Sequence, residues 1–154
     1  RSTLSSSSAA SDVYKRQIVG ISRGVNKYHI IRATLESMAY QVRDVLDVME
    51  RDSGIVVSVL NVDGGASTNN FLMQTQADFC NVRVQRPECV ETTALGVAYL
   101  AGLAVGFWNS IDDIRGSRSI EKIFMPNICD DVRNEKIKMW KKAVKYAFGW
   151  AKED

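Results

Sequence analysis

The sequence predicts an α/β layered domain in which helices flank a sheet. Three observations carry that reading. An apolar, valine-rich run, Val56–Val62, has strand length and stops at Asp63-Gly64-Gly65. A second short run, Val82–Arg86, alternates apolar and polar residues and stops at Pro87. Helical periodicities lie before, between and after these two runs. Alternation of strand and helix is the pattern of a layered α/β domain.

The totals are compatible with one such domain. The chain has 154 residues and is 45% hydrophobic, enough for a core. Twenty basic residues face eighteen acidic ones for a net charge of +2, which gives no reason to invoke nucleic acid or an acidic membrane as partner. Cys80, Cys89 and Cys129 are odd in number and widely spaced. They form neither a zinc motif nor a disulfide framework, and they fit reduced thiols in a cytoplasmic protein. The longest apolar stretch, Leu95–Phe107, is too short to span a bilayer and is interrupted by Gly96, Gly102 and Gly106.

Residues 1–17 are Ser-rich, lack any period and end in a basic pair. They have no continuous apolar middle and so do not read as a signal peptide. They read as a non-native leader, with a native disordered tail as the alternative. The domain proper is 18–154. Ile18–Val25 is a strand end feeding a loop. Asn26–Asp52 carries an amphipathic helical pattern, with Asn26 as N-cap and Ser53-Gly54 as the stop. Its apolar stripe, Ile30, Ile31, Thr34, Leu35, Met38, Ala39, Val42, Val45, Leu46 and Met49, is expected to pack on the sheet. Arg32, Glu36, Arg43, Asp44, Asp47 and Glu50 are expected to form the solvated face. His29, the only histidine, lies in the first turn with no acid or cysteine beside it in sequence and reads as structural. Tyr28 and Tyr40 read as packing or surface residues.

The run Val56–Val62 is expected to be a buried strand. Gly64 and Gly65 break it, and Ser67 or Thr68 is placed to N-cap a helix over Thr68–Asp78. Strand, glycine turn and helix start together present backbone N–H groups and a positive dipole end, where an anion or nucleotide can lie. A plain connection has the same pattern. Asn81 is a turn residue ahead of the strand Val82–Arg86. Glu91-Thr92-Thr93 opens a helix over Ala94–Val105 that is apolar nearly all round and therefore expected to be buried on several sides. Glu91 is either a first-turn acid favoured by the helix dipole or an acid near a substrate cleft. Ser110 caps a short turn, Ile120–Met125 reads as an edge strand ended by Pro126, and a last amphipathic helix runs from Asp130 to about Trp150, with a lysine-rich side in water.

Longer wording adds to this. DGGASTNNFLMQTQADF and VQRPECVETTALGVAYLAGLAVGFW resemble the C-terminal part of the glycerol kinase branch of the FGGY carbohydrate kinases. The resemblance runs from about Ile18 to the C-terminus. It implies a partial actin-like, RNase H-like ATPase fold, the C-terminal nucleotide-binding domain of a sugar kinase, in a chain that lacks the N-terminal substrate domain. It implies ATP/ADP and glycerol as ligands, with Mg2+ bound mainly by the missing part, and a homo-oligomeric full-length enzyme. Gly65 and Asn69 match positions lining the adenosine side of the ATP cleft, with Gly64 setting the turn. Asp63 either supports the turn or faces the phosphates. No catalytic residue is assigned to this chain, since the family's base and acceptor site match nothing in it. Pro126–Glu135 keeps the family's length but little of its chemistry, so regulation known at that surface in some members is not implied. Two alternatives stay open: another FGGY kinase acting on a pentulose or polyol, and a non-catalytic ATP-binding module.

Overall fold

The apolar run after Gly54 forms less strand than its composition suggests. In the computed structural model, which describes residues 18–116 and 119–147, β1 covers Val59–Asn61. It pairs in parallel with β2, Arg83–Pro87, and β2 pairs antiparallel with β3, Ile120–Phe124, in the order β1-β2-β3. The expected buried strand over Val56–Val62 is therefore corrected to three residues, Val59 and Leu60 half-buried and Asn61 exposed. Val56 is 81% exposed, and Leu60 is half-buried. The reason is position: β1 is an edge of this sheet, and a parallel strand is fully buried only with neighbours on both sides. β3 is the expected edge strand.

The described chain divides into two compact units, one containing residues 18–32 and 129–147, the other Ala33–Ile128. The first contains α5, Asp130–Ala147, which has Asp130 and Asp131 in its first turn and Lys145 in its last, charges that suit the helix dipole at both ends. The leader expected at residues 1–17 and the stretch past Ala147, where the last helix is expected to run on to about Trp150, lie outside the described residues. α1, Lys27–Ser53, begins where the sequence places it. Asn26 Oδ1 accepts the Tyr28 and His29 N–H groups at 3.0 and 3.3 Å. His29 Nδ1 accepts the Asn26 N–H at 3.2 Å, so the histidine completes a reciprocal cap. Gly54, at φ +70°, stops the helix.

The second unit contains the core. Leu72, Met73, Ala77 and Phe79 from α2 (Asn70–Cys80) pack with Val82, Val84 and Phe124, and with Ala39 and Leu46 of α1. Tyr40 stacks on Phe79 with ring centroids 4.3 Å apart. The polar face expected on α1 is partly turned inward. Arg43 donates to the carbonyls of Phe79 and Cys80 at 3.3 and 2.9 Å, capping the C-terminal end of α2, and pairs with Asp47. Glu50 accepts the Val57 N–H at 2.7 Å. Several residues of the apolar stripe, including Met38, Val45 and Met49, are exposed.

α3, Thr92–Ala104, departs furthest from expectation. It was expected to be covered on several sides, yet Gly102 is its one buried residue, and Val97 and Leu100 are 64% and 69% exposed. The indole of Trp108 lies against Gly102, with Tyr99 and Phe107 edge-on to it. The short α4, Ile111–Gly116, is capped as expected: Ser110 Oγ accepts the Asp113 N–H at 3.2 Å, and Asp113 accepts the Asn109 and Ser110 N–H groups. No helix among the described residues is long and apolar enough to cross a membrane.

Candidate functional site

The turn from β1 to α2 is built residue by residue from short-range bonds. The Val62 N–H bonds to the Gln85 carbonyl, which carries the β1–β2 ladder one step beyond the strand. Gly64 then takes φ +73° and ψ 172°, a conformation essentially restricted to glycine. Its N–H donates to the Val90 carbonyl at 2.8 Å, and the Thr92 hydroxyl donates to the Asp63 carboxylate. These two bonds tie the loop before α3 to the turn. The Asp63 carboxylate is thus bonded to the first residue of α3.

Gly65–Thr68 forms a single 3₁₀ turn. The Ser67 hydroxyl donates to the Gly64 carbonyl and that of Thr68 to the Gly65 carbonyl, each at 2.7 Å. Neither caps α2, so the expectation of Ser67 or Thr68 as N-cap is corrected. Asn69 is the cap: its Oδ1 accepts the Leu72 N–H at 3.1 Å. That bond also fixes which way the amide faces. The flipped amide would set NH2 against N–H, so the Nδ2 donors point away from the helix backbone.

Of the three candidate residues, Gly65 and Asn69 are exposed and Gly64 is half-buried. Nothing lies within 4 Å of the point where a Cβ on Gly65 would stand. The three thus share one short, open stretch of backbone at the carboxyl end of β1. In an open α/β sheet, ligands lie beyond the carboxyl ends of the strands. The first turn of α2 adds the positive end of a helix dipole, favourable to a negatively charged or electron-rich ligand.

Beneath the turn lies a residue that the sequence reading left in the strand pattern. Arg86 is 5% exposed. Its Nη1 donates to the Ser67 carbonyl at 2.7 Å, while Nε and Nη2 grip the two carboxylate oxygens of Glu121 at 2.6 and 3.0 Å. The Phe124 ring lies 5.4 Å from the guanidinium carbon. The hydrogen bond from Arg86 holds the Glu121 carboxyl below its usual range. The signal was present: Arg86 is in phase with Val82 and Val84, and period two places all three on one face.

Glu91, the other candidate acid, is exposed and precedes α3 without a side-chain capping bond. Burial pushes the Cys80 thiol up to about 12, so it stays protonated and is no nucleophile. Among the described residues no three His, Cys, Asp or Glu side chains gather as a metal-ligand set. In the first unit, Ile18, Val19, Met139, Lys142, Ala143 and Tyr146 line a broad, open groove of about 850 Å³ that contains none of the turn residues.

Comparison with known proteins identifies the family. The profile of the FGGY family of carbohydrate kinases, C-terminal domain, matches residues 8–105. The chain belongs to the FGGY carbohydrate kinases. Among its relatives, a glycerol kinase of Agathobacter rectalis is 65% identical over 144 residues, covering 93% of this chain and 29% of that protein. One from Vibrio vulnificus is 57% identical over 141 residues, covering 91% and 28%. Among solved structures, Plasmodium falciparum glycerol kinase with ADP matches at TM-score 0.77 and 34% identity, over 86% of this chain and 26% of that one. A xylulose kinase from Rhodospirillum rubrum matches at TM-score 0.69 and 20% identity, over 84% and 27%, a likeness of fold alone. The fold is that of the actin-like sugar kinases, and the FGGY chain described here spans less than a third of the length of these curated relatives.

Proposed function

We propose that this chain supplies the adenosine side of the ATP cleft in a glycerol kinase, an enzyme that transfers the γ-phosphoryl group of ATP to glycerol and yields sn-glycerol 3-phosphate and ADP. The observation that carries the reading is the bare, exposed backbone at Gly65, flanked by the outward-facing amide of Asn69. The flat face of a nucleoside lies against Gly65 where any side chain would intrude. Asn69 Nδ2 donates to a ring nitrogen or a ribose oxygen, a bond worth roughly 0.5–1.5 kcal/mol net. Gly64 sets the bend that presents Gly65 and Asn69.

Identities of 65% and 57% to glycerol kinases support glycerol as acceptor over a pentulose. They equally favour a working kinase over a non-catalytic ATP-binding module. Cys80, Cys89 and Cys129 are free thiols, in keeping with a cytoplasmic enzyme. Mg2+ supplies charge neutralisation at the transferring phosphates in phosphoryl transfer. Among the described residues no cluster of His, Cys, Asp or Glu side chains could hold it. The described residues bind and orient the nucleotide.

The test joins this chain, in place of the matching segment, to the remainder of the Agathobacter rectalis glycerol kinase. The chimera is expected to phosphorylate glycerol from ATP, and the chain alone to be silent. In the chimera, Gly65→Val should raise the KM for ATP about tenfold and leave that for glycerol within about twofold. Asn69→Asp keeps an oxygen for the Leu72 N–H but loses the donors, and should raise the ATP KM about threefold. Equal losses for both substrates, or none for ATP, would refute the assignment.

A further inference from the structure

A buried arginine in the middle of an apolar sheet face is costly unless it does something that a hydrocarbon side chain cannot. Arg86 spends its donors in two directions. Two nitrogens hold the Glu121 carboxylate on the edge strand β3, and the third reaches the carbonyl of Ser67 inside the 3₁₀ turn. Ser67 is 1% exposed, and its hydroxyl bonds back to the Gly64 carbonyl. An unbroken run of bonds therefore leads from Glu121 through Arg86 and Ser67 to Gly64, with Asn69 two residues beyond Ser67. Without the arginine, the Ser67 carbonyl would be left in a dry site with nothing to accept from.

We infer that Arg86, held by Glu121, is a positioning residue for nucleotide binding: it fixes the height and tilt of the Gly64–Asn69 turn above the sheet without touching the ligand. This rests on the nucleotide reading of the turn given above and adds the device that aims it. The planar guanidinium is suited to the task, because it can satisfy both carboxylate oxygens and a carbonyl in one plane. A lysine has a single ammonium that cannot span all three acceptors. Glu121 is half-exposed, with its side chain at 49%, so it can be altered without opening the core.

The experiment uses the same chimera, with steady-state kinetics for both substrates and thermal unfolding measured on every variant. Arg86→Lys should raise the KM for ATP about tenfold and leave the glycerol KM within about twofold. Glu121→Gln keeps a hydrogen-bond acceptor but removes the charge, and should raise the ATP KM about threefold. Glu121→Asp should fall between Glu121→Gln and the parent. A fall in unfolding temperature with both KM values unchanged would reduce the cluster to a structural ion pair and overturn the inference. If Arg86→Lys yields no soluble protein, the two Glu121 variants decide by the same criteria. Gly65→Val and Asn69→Asp separate the two claims. If they weaken ATP while the Arg86 and Glu121 variants do not, the positioning role fails and the nucleotide site stands. If neither pair changes the ATP KM, the site itself fails.

Discussion

Two helices of the second unit, α2 and α3, invert the usual relation between composition and burial. α2 carries four polar side chains among its eleven residues besides its first asparagine, yet seven of the eleven are buried, Thr75 and Gln76 among them. α3 is apolar over almost all of its thirteen residues and buries Gly102 alone. The difference lies in what each helix has to pack against. α2 has β2, β3 and α1 beside it within this chain, and Arg43 caps its end. α3 has a loop aromatic, Trp108, against Gly102, and its other residues are exposed or only partly covered. Apolar composition states a demand for burial, and only neighbours meet it.

The largest expected effect is at the centre of the covered helix. Phe79→Ala removes the ring stacked on Tyr40 and should cost about 3–5 kcal/mol in urea unfolding. A cost below about 1 kcal/mol would mean that α2 is no better anchored than α3. Next is the one covered position of α3. A methyl group at Gly102 would overlap the Trp108 ring, so Gly102→Ala should destabilise by about 1–3 kcal/mol and expose the indole, read as a red shift in tryptophan fluorescence. An unshifted spectrum would show that the contact is not held in solution.

A smaller effect is expected from the thiol buried at the end of α2. The Cys80 pKa is raised from 9.0 to about 12 by burial. A raised pKa means that the folded state resists losing the proton that the unfolded state gives up. The contribution to stability is therefore complete below pH 9.0 and is lost as pH climbs towards 12. The urea midpoint should fall more steeply across that window in the parent chain than in Cys80→Ala, and parallel slopes would show a solvated thiol. Smallest of all is Leu100→Ser on the exposed side of α3, which should change stability by less than about 0.5 kcal/mol. A loss of about 2 kcal/mol or more would mean that the side chain is covered after all.

What could be read from the sequence divides along the same line. Both ends of α1 were legible, because Asn26 and Gly54 act on backbone within four residues of themselves. So were Asn81, the β3 edge strand and the Ser110 cap. The location of the turn was legible from the two glycines, but its internal wiring was not. Ser67, Thr68 and Asn69 are all good N-cap residues, and the choice among them depends on one intervening 3₁₀ turn that uses up two hydroxyls. The burial of β1 and α3 was overestimated because both readings assumed neighbours. Arg86 was overlooked for a different reason. Its charge suggested solvent, while its phase with Val82 and Val84 pointed inward, and the pairing with Glu121, thirty-five residues later, is invisible until the sheet is assembled.

The paired glycines of the turn have different tolerances, although they read alike in the sequence. At Gly64 the backbone itself forbids a side chain, whatever ligand is present. At Gly65 φ is not positive and the surrounding space is empty, so the fold accepts other residues there. In a library randomised at both codons and sorted first for soluble expression, the first codon should return glycine almost alone and the second a broad alphabet. Any narrowing of that alphabet in a later sort for phosphotransfer would then be the imprint of the bound molecule.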